Sequence, residues 1–546
     1  MPAASPITDA VAGPAVLLAE AAREHPDKLA LVESGGRSLT WAELDDQVGR
    51  VATGLAAAGV VAGYRVVVVM GNRLEFVTTY LGALRAQAVA VPLNPGSTAR
   101  ERARVVADCG ARMVVADGDT VTAVREAARL VDSALAGEPT TLAQAVPDEV
   151  LARLVRPRVV AVGTTLQPGE RSYDHLCADT ARPAPPLQDP ERIAALLYTS
   201  GTTGLPRGAM LSHRALAANI AQVASVQPPM IHGDDVVLGV LPLFHVYGLN
   251  AVLGTVLRSR AKLVLADRFD PQGTLDLIED EACSVVPLAP PVFAHWRDVD
   301  LGDRLGPVRL VLSGSAPVSA EVVEEFAERT GIPVHQGYGL TEAAPVVTST
   351  LRSEAAPSGS VGAPLDGIEL RVVDETGRAV PDNVGDPGEI QVRGDNLFSG
   401  YWPDGADGPA ADGWWSTGDV GYVDAHGDVF LVDRVKELVI VSGFNVYPVE
   451  VERVVAEVEG VADVAVIGVA DDTTGEAVVA YVVAAPDTDA ATVADAVRAA
   501  CESGLARFKV PSRVVVVEAL PHGITGKVQK GRLRGIERRR ALGLLE

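Results

Sequence analysis

An α/β fold built on parallel sheets, followed by a smaller α+β unit, is what this chain predicts, and three patterns predict it. Short Val-rich runs at 66–70, 88–91 and 113–116 alternate with longer helix-like segments from Ser38 onward. Runs apolar at every position suit strands buried on both faces, as in parallel sheets flanked by helices. A glycine- and hydroxyl-rich stretch directly follows the apolar run 193–197, which marks a loop at the end of a buried strand. Beyond the junction at 434–437 the pattern shortens to one helix near 449–457, strands 462–469 and 478–483, and a helix near 491–505, enough for one small α+β unit.

The elements follow in order. The stretch 121–160 gives no clean period and reads as variable surface structure, and the Pro-rich segment 181–190 reads as a connector. A strand at 308–312 leads into a helix with Ser319 as N-cap, Glu321 in the first turn, apolar Val322, Val323 and Phe326, and Gly331 after its end. The residues from Ser313 onward therefore sit at a strand's carboxyl end, where open α/β sheets bind ligands. A hairpin is expected over 421–432.

With 48% hydrophobic and 22% charged residues over 546 positions, the chain reads as globular and as several compact units. No apolar run approaches the length of a membrane-spanning helix, and no basic, uninterrupted signal-like segment opens the chain. Cys109, Cys177, Cys283 and Cys501 are far apart and without C-x-x-C spacing, so a zinc or redox site is unsupported and isolated thiols in a reducing cytoplasm are expected. A net charge of −24 disfavours nucleic acid and anionic membrane as nonspecific partners.

Tyr198-Thr-Ser-Gly-Thr-Thr-Gly-Leu-Pro-Arg-Gly-Ala-Met210 carries the strongest chemistry. Gly201, Gly204 and Gly208 let the backbone turn and present N–H groups to an anion. Thr199, Ser200, Thr202 and Thr203 add hydroxyl donors, and Arg207 adds a charged fork suited to phosphate oxygens. The spacing is not that of G-x-x-x-x-G-K-[ST], so a different triphosphate-binding architecture is implied; a plain polar turn between strand and helix is the alternative.

The loop resembles the signature of the acyl-adenylate-forming, or AMP-binding, superfamily. Further matches follow in that superfamily's order at Leu241-Pro-Leu-Phe-His-Val-Tyr-Gly248, Ser313-Gly-Ser-Ala-Pro317, Gln336-Gly-Tyr-Gly-Leu-Thr-Glu342, Ser416-Thr-Gly-Asp419, Asp433-Arg434 and Gly526-Lys527. The resemblance implies a large N-terminal adenylation core (1–434) of α/β subdomains with mixed sheets, and a small mobile α+β domain (435–546). It implies ATP, Mg²⁺ and coenzyme A as the small molecules handled, besides a carboxylic acid. By resemblance, Thr199, Ser200, Gly201, Thr202, Thr203, Gly204 and Arg207 grip the β- and γ-phosphates, Arg207 standing where Lys is usual. Glu342 with Thr199 holds magnesium, as hard oxygen ligands suit it. Gly314, Ser315, Ala316 and Pro317, with Gln336, Gly337, Tyr338, Gly339, Leu340 and Thr341, wall the adenine and α-phosphate. Asp419 accepts the ribose hydroxyls, and Arg434 touches ribose and phosphate.

Lys527 matches the catalytic lysine of adenylation, where a compact cation on a flexible stem bridges carboxylate and α-phosphate. Ser442, Gly443 and Phe444 match the loop that admits the pantetheine arm, and Lys436 the hinge about which the small domain turns. His245 stands where amino-acid-activating members carry an aspartate, so an apolar acid is expected. With Thr203, Arg434 and Lys527, it completes the catalytic set. Read alone, Glu342 is a solvated or capping carboxylate, Asp419 a turn aspartate, His245 a structural histidine, and Lys436 and Lys527 surface lysines.

Among members, Phe444-Asn-Val-Tyr-Pro448 looks most like fatty acyl-CoA synthetases, giving a medium- or long-chain fatty acid as the expected substrate. Leu249, where some long-chain members place a gating tryptophan, departs from that pattern. The segment from Tyr401 departs too and is placed as a surface loop. The runners-up are an aryl-CoA ligase, an acyl-AMP ligase loading a carrier protein, a luciferase-like monooxygenase and a non-catalytic nucleotide sensor. The short tail after Lys527 disfavours a peptide-synthetase module. A cytoplasmic monomer or homodimer, without a spanning segment and compatible with peripheral membrane contact, completes the expectation.

Overall fold

A computed structural model describes residues 13–200, 206–315, 318, 320–374, 377–379, 388–434, 439–446, 448–486, 488–521, 528 and 530–541. The early Val-rich runs form strands Arg65–Val69, Val89–Pro92 and Met113–Ala116, which pair in parallel within a seven-stranded sheet. At the edge of that sheet Ile193–Ser200 runs parallel to Val89–Pro92 and pairs antiparallel with Pro206–Ser212. A nine-stranded sheet carries Val236–Gly239, Lys262–Leu265, Val285–Leu288, Leu310–Ser313 and Val334–Gly339 in parallel, then Val346–Ser349 antiparallel. Leu31, Trp41, Val66, Val68, Leu216 and Leu263 sit in one fully buried cluster that joins the two sheets. The fold is therefore α/β with mixed sheets, as expected.

Four antiparallel strands, Ile368–Val373, Gly388–Gly394, Trp415–Val423 and Val429–Arg434, form a third sheet that contains the expected hairpin. A separate five-stranded sheet then begins at Val439–Val441 and includes Val461–Asp471 and Gly475–Ala484. Helices Pro448–Ala456 and Ala490–Gly504 cover it, and its own cluster holds Val439, Val466, Val478 and Val497. The proposed boundary at 434/435 adjoins residues 435–438, among them Lys436, which lie outside the described residues. The helix after Leu310–Ser313 spans Ala320–Thr330 and ends as expected at Gly331, whose φ of +72° suits glycine and whose N–H reaches Ala327 O at 2.8 Å.

Two expectations are corrected. The stretch 121–160 is not aperiodic surface: helix Val121–Leu135 buries Val121, Val124, Ala127 and Val131 against the seven-stranded sheet. Small Ala spacers inside the stripe had masked its helical period. Gly208, expected to help turn the signature loop, lies instead within the second of the two antiparallel strands that flank the loop, opposite Tyr198. A Cβ at Gly208 would stand 3.2 Å from the Tyr198 ring, so this glycine makes room for a side chain and does not turn the loop.

Helix Trp41–Ala57 crosses the segment at Leu176 so closely that a Cβ on Gly54 would lie 1.5 Å from Leu176 O. Gly54→Ala must push backbone apart, at a cost of about 1–3 kcal/mol or more. The expected result is a clear drop in the thermal midpoint followed by circular dichroism; an unchanged midpoint overturns the contact.

Candidate active site

The carboxyl ends of Val285–Leu288, Leu310–Ser313 and Val334–Gly339 converge on a cavity of about 680 Å³, reached also by the signature hairpin and the four-stranded sheet. Side chains from Thr199 to Asp419 line it, and no described residue beyond Asp419 does. Its size is that of a site for one substantial small molecule.

One end is polar. Tyr338 is buried, and its Oη donates to Asp419 Oδ2 at 2.6 Å, joining strand Val334–Gly339 to strand Trp415–Val423. The Asp419 N–H is held by Thr417 Oγ1 at 3.1 Å, and Asp419 faces Arg434 in the antiparallel register. Glu342, also buried, accepts the Tyr401 hydroxyl on Oε1 at 2.5 Å. The Arg207 guanidinium lies 3.9 Å above the Tyr401 ring, and its Nη1 contacts Asp407 Oδ2 at 2.7 Å. Thr199 sits directly across the hairpin from Arg207. A hydroxyl, a carboxylate and a guanidinium thus stand around one corner, the set a metal-bound polyphosphate requires.

The other end is largely apolar, walled by Val223, Met230, Ile231, Ala251 and Val252. Buried Asn72 fixes the segment leading into it: its amide donates to Gly239 O and Leu241 O at 2.9 Å and accepts the Leu243 N–H at 2.8 Å. His245 follows, its Nδ1 accepting the Tyr247 N–H at 3.3 Å, which leaves the ring proton on Nε2. Burial lowers His245 to about 4, so the imidazole is neutral near pH 7. A π-helical segment, Tyr247–Gly254, carries the chain onward, a form frequent at functional sites. Gly314 lets the Tyr247 ring lie against the backbone, since a Cβ there would approach it to 3.1 Å. His335, whose burial also lowers its pKa, lines the cavity from strand Val334–Gly339.

The structure brings together Thr199, Arg207, His245, Gly314, Ser315, Gln336, Gly337, Tyr338, Gly339, Leu340, Thr341, Glu342 and Asp419 as lining residues. Ser200 ends strand Ile193–Ser200 and Arg434 ends strand Val429–Arg434, and the side chains of both lie outside what the structure describes. Gly201, Thr202, Thr203, Gly204, Ala316, Pro317, Lys436 and Lys527 lie outside the described residues. Ser442, Gly443 and Phe444 belong to the small domain and do not line the cavity; Phe444 stacks on Phe244 of the core at 5.9 Å.

Sequence reasoning missed Tyr247, His335, Arg371, Gln391, Tyr401, Asp407 and Trp414. The segment from Tyr401, expected to be a surface loop, instead contacts both Arg207 and Glu342. Arg371 donates to Gln391 Oε1 on the neighbouring strand at 2.9 Å and lies over Trp414 at 4.1 Å. Leu249, weighed as a gating position, is buried in the core. The four cysteines are free thiols, and among the described residues no three His, Cys, Asp or Glu gather as a metal cluster.

Tyr338→Phe keeps the ring and removes the donor to Asp419; with ~1.5 kcal/mol for a hydrogen bond to a charged group, an approximately tenfold rise in the Michaelis constant for ATP is expected. Unchanged steady-state kinetics would separate this bond from nucleotide binding. A second prediction concerns pH. The folded pKa of His245, about 4, lies below its ordinary 6.5, so the unfolded chain binds the extra proton between those values and stability falls as pH drops from about 6.5 towards 4. His213 acts in the same direction. His245→Gln should flatten part of the fall in thermal midpoint across that window, and an identical slope overturns the assignment.

The family model described as "AMP-binding enzyme" matches residues 18–402, and the model "AMP-binding enzyme C-terminal domain" matches residues 450–527. A 4-coumarate–CoA ligase 5 of Oryza sativa subsp. japonica is 34% identical, covering 94% of this chain and 92% of its own. The amide bond synthetase McbA from Marinactinospora thermotolerans superposes with a TM-score of 0.81 at 28% identity, over 96% of this chain and 99% of that one. A Mycobacterium tuberculosis fatty acyl CoA synthetase superposes with a TM-score of 0.67 at 28% identity, over 96% and 98%. Both models fall in order on the large and small domains described above, and the chain belongs to the family of AMP-binding enzymes.

Proposed function

We propose that this protein is an AMP-forming acid–CoA ligase and that its acid is aromatic, of the 4-coumarate kind. The observation that carries this reading is the identity of 34% with a 4-coumarate–CoA ligase across nearly the whole of both chains. The cavity supports it. A space of about 680 Å³, shared with a nucleotide, suits a compact planar acid better than an extended alkyl chain. The fatty acid expected from Phe444-Asn-Val-Tyr-Pro448 gives way to this reading, because the motif belongs to the small domain and none of its described residues lines the cavity. Likeness to the fatty acyl CoA synthetase keeps a fatty acid as the second reading.

In this reading the substrate carboxylate attacks the α-phosphate of ATP, a P–O bond forms, and pyrophosphate leaves. The thiolate of coenzyme A then attacks the acyl carbon, and AMP departs with the electron pair of the acyl–oxygen bond. Asp419 and Tyr338 hold the ribose end, while Arg207 and Thr199 face the polyphosphate. Glu342, with Thr199, would hold Mg²⁺, which supplies charge neutralisation for the departing pyrophosphate. Neutral His245 places neither a positive charge nor a carboxylate against the acid, while the apolar wall excludes water from the adenylate. None of the relatives reported above is named for an oxidation, and the retention of Glu342 and Asp419 supports a ligase over a silent sensor.

The test is a panel of hydroxycinnamates, benzoates and medium- to long-chain fatty acids, each with ATP and Mg²⁺, with coenzyme A, an acyl-carrier protein or an amine as acceptor. AMP and an aryl-CoA thioester are expected; turnover of fatty acids alone would overturn the aromatic assignment. Lys527→Ala is expected to lower pyrophosphate release by about two orders of magnitude or more while thioester formation from preformed acyl-AMP persists. Equal losses in both steps would remove Lys527 from its role.

A further inference from the structure

We infer that Glu101 and Lys509 are positioning residues for the thioester step, forming an ionic latch that holds the small domain with its 442–444 loop against the core. Lys509 ends the short turn Arg507–Lys509 of the small domain, and its Nζ lies 2.8 Å from Glu450 Oε1 and 3.0 Å from Glu101 Oε1. All three side chains are nearly enclosed, at 11%, 3% and 9% exposure. Two carboxylates around one ammonium in so dry a place make a strong, geometry-dependent contact.

The two contacts differ in what they join. Glu450 lies in helix Pro448–Ala456 of the small domain itself, so its bond to Lys509 travels with that domain. Glu101 belongs to helix Ala99–Asp108 of the core, and only its bond to Lys509 crosses between domains. Glu101 is committed to the core by its other oxygen: Oε2 accepts the Thr98 N–H at 2.7 Å and the Thr98 hydroxyl at 3.0 Å, closing a capping box. When the small domain turns, Lys509 keeps Glu450 and Glu101 keeps Thr98. Of these ionic contacts only the crossing bond is lost, so it biases one orientation without stranding either group.

What the latch holds is visible beside it. Phe508, the residue before Lys509, packs on Phe444 at 4.7 Å, and Phe444 stacks on Phe244 of the core with rings 8° from parallel. Phe244 directly precedes His245 at the acid end. Gly443, at φ +80°, faces the core at Ala289, where a Cβ would stand 3.7 Å from the Ala289 side chain. The loop assigned to the coenzyme A arm is thus seated at the core, and no described small-domain residue enters the cavity. This orientation is the one that serves the second half-reaction.

The inference rests on the two-step ligase reading, and the experiment separates the two. Glu101→Gln preserves an acceptor for Thr98 while removing the charge that Lys509 sees. In single-turnover assays it should leave pyrophosphate release within about twofold and slow thioester formation from preformed acyl-AMP about fivefold or more, the range of a coupling between two states. Lys509→Met should do the same, Lys509→Arg should recover part of the loss, and the Glu101→Gln/Lys509→Met double variant should lose no more than either single one. Equal effects on both half-reactions, no effect, or additive losses would overturn the latch. A wild-type protein that forms no thioester from any acid would instead overturn the ligase reading.

Discussion

A buried carboxylate tied to a phenol that itself carries a guanidinium on its face is the contact on which the candidate site depends. Glu342 accepts from Tyr401, and Arg207 rests on the Tyr401 ring. Through this knot the signature hairpin, the turn at Thr341–Ala343 and the segment after Phe398 share one corner of the cavity. The knot also explains how a cation and two carboxylates coexist in one corner. Asp407, at an exposed position, pairs the Arg207 charge. A lysine there would keep the charge but lose the flat stacking on Tyr401, which gives a physical sense to an arginine at a position where the superfamily usually has lysine.

Chemistry at the two ends of the cavity is set by opposite means. At the polar end each acidic group is oriented by a donor, so charge is held in place. At the acid end burial removes charge: His245 is neutral, and the surrounding walls are aliphatic or aromatic. In the proposed ligase reading, a carboxylate between the ends meets its favourable partners on the polar side only, which would direct its oxygen towards the phosphate.

The small domain meets the core through an aromatic stack and a buried ammonium shared by two carboxylates. Dispersion and ring packing tolerate modest sliding, whereas a desolvated ion pair loses most of its energy once its partners separate. Combining them gives an interface that is definite in orientation yet breakable as a unit.

Much of the fold and of the polar end of the cavity was legible in the sequence. All-apolar runs with helical interludes determine parallel sheets, since only strands buried on both faces read that way. The signature loop, Tyr338, Glu342 and Asp419 stood out because each lies in a short contiguous motif. The period of Val121–Leu135 was not legible, since alanine spacers diluted its stripe. Other decisions belong to tertiary structure. Tyr401 meets Glu342 from 59 positions away, Arg207 meets Asp407 from 200, and Lys509 meets Glu101 from 408. The acid end is shaped by side chains from separate helices and strands, so residues within the small domain's motif carried no information about it. Local pattern reports what each segment prefers for itself, and which segments share a corner is decided by how sheets and domains bury their faces together.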